Sequence, residues 1–113
     1  MLFRSVLARR GHNINVFAYE GASGLAFTKQ AAHPNPVHGK NLAEENHPTT
    51  KDQVAALLAL ATSSGGKIDW VNCGLCVDER GAGEAIPGVR RGTPGDFWKF
   101  AEASDGTLVI PTK

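Results

Sequence analysis

The stretch Ile68-Asp69-Trp70-Val71-Asn72-Cys73-Gly74-Leu75-Cys76-Val77-Asp78-Glu79-Arg80-Gly81 holds both cysteines of the chain and decides how the rest is read. Residues 68–71 are a short β-branched and aromatic run entered through Gly65-Gly66, the pattern of a buried strand. Gly81 is placed to stop the helix that follows. Cys73 therefore stands at a strand-to-helix junction, where unpaired backbone N–H groups and the helix macrodipole favour a thiolate over a thiol. Cys76 lies about one turn further along on much the same face, within reach of whatever Cys73 carries.

Upstream, Thr50-Lys51-Asp52-Gln53 matches a capping box. Val54, Leu57, Leu58 and Ala61 then recur at helical spacing, predicting an amphipathic helix that leads into the cysteine strand. Residues 13–19 turn from alternating to continuously apolar, which predicts a parallel strand covered on both faces. Residues 21–30 are read as a modest helix with a start weakened by Gly21 and Gly24. Between residues 31 and 49 come His33-Pro34, His38-Gly39 and His47-Pro48, a connection longer than routine loops of up to about 15 residues. Downstream, residues 83–92 read as a loop broken by Pro87-Gly88, with Arg90-Arg91 as a solvated pair. Thr93-Pro94-Gly95-Asp96 supplies an N-cap, a proline at N1 and an acid at N3, and Phe97, Phe100 and Ala101 form the buried stripe of the helix it opens. Residues 107–110 predict a closing strand that stops at Pro111.

Alternating strands and helices predict an α/β fold, a single three-layer α/β/α domain over residues 1–113 with a mainly parallel sheet. In such sheets chemistry gathers at the carboxyl ends of the strands, where Cys73 falls. The chain opens on a helix rather than a strand: residues 1–10 are basic, without an acid before Glu20, as a mitochondrial presequence would be. The same residues place Leu2, Phe3, Val6 and Leu7 on one helical face ending at Gly11, and the helix is the reading taken.

A formal charge of +1 and 20% charged residues give no electrostatic reason to expect nucleic acid or a membrane surface as partner. No apolar run approaches the ~20 residues of a membrane span. Two cysteines in C-x-x-C bridge only a tiny loop and are a poor framework for a secreted protein, so a cytoplasmic location is expected. His33, His38 and His47 are zinc-ligand types, but the spacing is not that of a known finger and a second tight ligand pair is absent, so neither metal nor cofactor is expected.

Several segments in order resemble the DsrE-like sulfur-relay family. They are Leu7-Ala8-Arg9-Arg10-Gly11-His12 leading into Asn15-Val16-Phe17, then Asn72-Cys73-Gly74-Leu75-Cys76 with Arg80-Gly81, then Gly88-Val89 and a capped helix, and last Ala103-Ser104-Asp105-Gly106-Thr107-Leu108-Val109. The resemblance implies a DsrE-like α/β/α fold lacking the family's first strand, assembly into a trimer or hexamer, and transfer of sulfane sulfur as a cysteine persulfide between donor and acceptor proteins. It implies Cys73 as the carrying residue, judged by its spacing to Arg80-Gly81. Cys76 is the second candidate, either resolving a persulfide or packing. Arg80, Asn72 and Gly74 are the auxiliary candidates. Arg80 can stabilise an anionic sulfur, although an arginine on a short helix also reads as a solvated face. Trp70 and Trp98 read as core or interface residues. The competing functions are a thiol–disulfide cycle between Cys73 and Cys76, or a noncatalytic subunit in which the cysteines are small buried hydrophobes.

Overall fold

The computed structural model describes residues 7–30, 49–81 and 83–111. Three parallel strands, β1 (Asn13–Ala18), β2 (Lys67–Cys73) and β3 (Val89–Gly92), form one sheet in the order β1-β2-β3. Helix α1 (Thr50–Ser63) precedes β2, α2 (Gly74–Arg80) joins β2 to β3, and α3 (Pro94–Ala103) follows β3. A 3-10 turn, Glu20–Gly24, follows β1.

Side chains alternate across a strand, so the two faces can be assigned residue by residue. Val16, Ala18 and Trp70 join Val54, Leu57 and Ala61 of α1 in the main core. Phe17 and Val71 point the other way, and Phe17 meets Phe97 of α3 with ring centroids 6.0 Å apart. Helices thus cover both faces, as an α/β/α arrangement requires. Trp70, Val71, Asn72 and Cys73 are all buried, the continuous burial of a central strand in a parallel sheet.

The ends of α1 show how the local sequence steers the chain into β2. Its N-cap is Thr49, one residue earlier than the capping-box reading at Thr50, and the Thr49 hydroxyl donates to Asp52 (Oγ1–Oδ2 2.8 Å). At the other end the Gly65 N–H bonds the Thr62 carbonyl and the Gly66 N–H bonds the Ala61 carbonyl at 3.0 Å. This is a Schellman closure that needs the left-handed backbone Gly65 adopts at φ 80. Gly81, at φ 61, ends α2 in the same backbone region.

Four expectations are corrected. Residues 21–30 are not a helix; the 3-10 turn is followed by turns and an antiparallel bridge between Phe27 and Ala85. Residues 107–110 pair with no strand, and Leu108, Val109 and Ile110 are exposed. The third strand is instead Val89–Gly92, which includes the arginines read as a solvated loop. Arg90 is anchored by Asp69 of β2 through two bonds of 3.1 Å, and it also reaches Asp96 of α3 at 3.6 Å. The stripe of α3 is half-buried rather than buried, and Trp98 is 66% exposed. Residues 7–9 are helical; residues 1–6, where the helix reading begins, and the His33–His47 segment lie outside the described residues.

The capping of α3 follows the sequence reading: the Thr93 N–H donates to Asp96 Oδ2 at 2.8 Å, and Pro94 opens the helix. Gly92 makes this turn possible, because a Cβ there would run into Val71 Cγ1 and lie 2.5 Å from Asp96 Oδ2. Gly92→Ala is expected to destabilise the domain by about 1–3 kcal/mol through overpacking. Urea unfolding measures the shift, and an unchanged midpoint would contradict the packing described.

Candidate functional site

Cys73 is the last residue of β2 and the N-cap of α2, so the strand-to-helix junction falls where the sequence places it. Its sulfur takes the role an oxygen fills at most N-caps, accepting the N–H of Cys76 at 3.4 Å. The Cys76 thiol also donates to it, with the two sulfurs 2.8 Å apart. Two donors from one residue therefore converge on Cys73 Sγ. Burial pushes the Cys76 thiol above its ordinary value of 9.0, and the hydrogen bond to Cys73 acts in the same direction. Cys76 is accordingly a thiol at neutral pH.

Both sulfurs are withdrawn from solvent, Cys73 being 4% and Cys76 6% exposed. They are reached along an apolar groove of about 370 Å³ walled by Phe17, Tyr19, Pro94, Phe97, Trp98 and Val109. Alternation explains its position: Cys73 shares its sheet face with Phe17, and α3 supplies the far wall. Phe97 and Trp98 meet edge to face, with centroids 5.7 Å apart.

The auxiliary candidates divide. Arg80 lies on an exposed face, as the solvated reading has it, and there its Nη2 binds Glu20 Oε2 at 3.2 Å. Glu20 Oε1 lies 3.8 Å from the Cys76 sulfur, a second acceptor for the one thiol proton that otherwise points to Cys73. Asn72 does not line the groove; its amide lies on the other sheet face and donates to the Ser23 carbonyl at 3.2 Å, tying the 3-10 turn to β2. Asn72 also borders a larger hollow of about 650 Å³ beside Asp78 and Arg91, which contains neither cysteine. Gly74 acts by its missing side chain, since a Cβ would lie 2.8 Å from Arg91 Nε and 3.0 Å from the Gly92 carbonyl.

Glu20 is the site residue the sequence reading missed. Arg91 grips Asp78 through two bonds of 2.9 and 2.6 Å, which hold the Asp78 carboxyl below its ordinary range. Both side chains are well exposed, so the pair adds little stability. No sequence motif marks Glu20; only its position just after an apolar strand could have suggested it. Among the described residues no group of three or more His, Cys, Asp or Glu is placed to hold a metal ion, and no helix is long and apolar enough to cross a membrane.

The fold and site define a vicinal dithiol at the carboxyl end of a parallel α/β sheet. No family model, curated protein or solved structure matches the chain.

A raised thiol is less ionised at any given pH, so Cys76 should alkylate slowly near neutrality, and its rate should still climb as pH passes 9.0. Cys73, which accepts both Cys76 donors, should be labelled first. Peptide mass spectrometry after brief iodoacetamide treatment reads both rates; equal or reversed labelling at neutral pH would contradict the assignment.

Proposed function

We propose that this protein carries sulfane sulfur as a persulfide on Cys73. The observation that carries the reading is the apolar groove leading to Cys73, whose sulfur accepts two hydrogen bonds from Cys76. A Cys73 thiolate attacks the outer sulfur of a donor persulfide, R–S–SH. The Cys73 Sγ–S bond forms, the donor S–S bond breaks and the donor leaves as its thiolate, with no external oxidant or reductant. Attack by an acceptor thiolate on the outer sulfur reverses the process on a partner protein. The groove suits this cargo, because sulfane sulfur is small and polarizable and its apolar walls limit water at the reacting sulfurs. The DsrE-like resemblance of the cysteine–Arg-Gly segment supports the same reading. After polysulfide treatment and desalting, cyanolysis should release one sulfane sulfur per chain; none above the level of an alkylated control would overturn the proposal.

The thiol–disulfide alternative is favoured by one observation, the 2.8 Å separation of the sulfurs. A persulfide on Cys73 meets the same neighbour. Attack by Cys76 on Cys73 Sγ forms a Cys73–Cys76 bond and expels the outer sulfur as HS⁻, reducing sulfane sulfur while oxidising two thiols. Transfer and resolution then compete at one site, and the acceptor must arrive before Cys76 attacks.

Assembly belongs to the same proposal. Trp98, Leu108, Val109 and Ile110 are large, apolar and exposed, and Trp98 and Val109 wall the groove. A homo-oligomer, with the trimer or hexamer as first expectation, would cover them. Light scattering at micromolar concentration tests this, and a stable monomer would contradict it.

A further inference from the structure

Glu20 is the sole non-glycine residue with positive φ among the described residues, at φ 51. A side chain is disfavoured in that region, and such outliers persist where surrounding structure over-determines them. Here the Ser23 hydroxyl donates to the Glu20 carbonyl at 2.7 Å, the Ala22 N–H binds the Tyr19 carbonyl at 3.1 Å, and Asn72 holds the Ser23 carbonyl from the central strand. Glycine would adopt this backbone without penalty, yet the position carries a carboxylate. That carboxylate spans two partners: Oε2 meets Arg80 at 3.2 Å, and Oε1 meets the Cys76 thiol at 3.8 Å.

Cys73 is the atom attacked in any exchange, and both Asp78 oxygens are taken by Arg91. From these contacts we propose that Glu20 is the general base that takes the Cys76 proton when Cys76 attacks Cys73, with Arg80 holding the carboxylate in place. The role concerns the exchange site of the proposed function and rests on attack at Cys73. In the step, the Cys76 proton passes to Glu20 Oε1, the Cys76–Cys73 bond forms, and the bond from Cys73 to its outer sulfur breaks. The pair of electrons leaves with that sulfur, and Glu20 returns its proton to the leaving group or to water.

An aromatic disulfide, dithiobis(nitrobenzoate), separates the two events. Cys73 attack releases one thionitrobenzoate and leaves a mixed disulfide; Cys76 attack on Cys73 then releases the second. Glu20→Gln and Glu20→Gly are expected to slow the second release by about 10²-fold, the usual scale of general-base catalysis, and leave the first unchanged. Glu20→Asp should recover part of the loss. Glu20→Gly suits the left-handed backbone, so it should melt no lower than the parent chain, which guards the test against misfolding. An unchanged second release in Glu20→Gly, or equal slowing of both releases, would overturn the role. No sulfane sulfur enters this assay, so its outcome is independent of whether the chain carries that cargo.

Discussion

Trp70→Ala is expected to destabilise the domain by about 3–5 kcal/mol, the range for truncating a buried aromatic, out of the roughly 5–15 kcal/mol that holds a typical domain folded. Trp70 is 1% exposed on the central strand and packs in the cluster of Val16, Val54, Leu57 and Ala61. Its loss would open a cavity under β2, and the rigid pairing of β1 with β2 leaves the site little freedom to collapse. Trp98→Ala should cost less than about 1 kcal/mol, because that ring is 66% exposed. Urea unfolding followed by far-UV circular dichroism compares the two. Equal losses, or a milder effect at Trp70, would contradict the assignment of Trp70 to the core and Trp98 to the groove wall.

Cys73→Ser is expected to reduce cyanolysable sulfur to background, since no other thiol lies at the N-cap with two donors aimed at its sulfur. A serine hydroxyl is a far weaker nucleophile at neutral pH. Cys76→Ser should act oppositely: uptake persists, and the loaded form lasts longer because the attack that expels HS⁻ is gone. A two-cysteine redox cycle predicts a different pattern, with both substitutions abolishing turnover. Retention of full loading by Cys73→Ser would exclude the carrier role for that residue.

The contrast between what was legible and what was not has physical causes. The β2–α2 junction could be read because its signals are local: glycines that close α1, a β-branched and aromatic run, and Gly81 beyond the helix. The capping of α3 was legible for the same reason. Strand β3 was not, because Val89–Gly92 has two arginines and a glycine, and its pairing rests on the sheet and the Asp69–Arg90 contact. Charged residues on an edge strand also discourage pairing with other chains, so the features that protect this edge hide it from a hydrophobic pattern. Residues 107–110 show the converse: an apolar β-prone run remains unpaired when no sheet edge reaches it. At the site, the two cysteines and Arg80 were visible in sequence, whereas Glu20 is 56 residues from Cys76 and joins it only through folding.

Under the proposed carrier role, the positive φ of Glu20 and the burial of both sulfurs belong to one arrangement, in which the sulfurs are withdrawn from solvent and reached along a groove. The proposed carrier role then requires donors and acceptors that fit between Phe17, Phe97 and Trp98.

The most direct test of the central claim is peptide mass spectrometry of the protein after exposure to a sulfane-sulfur donor under anaerobic conditions, with thiols blocked at the moment of quenching. Persulfide carriage on Cys73 predicts one additional sulfur on the peptide containing that residue, removable by reductant and more abundant in Cys76→Ser. A Cys73–Cys76 disulfide as the sole product, in the parent chain and at the earliest times, together with no added sulfur in Cys76→Ser, would contradict it.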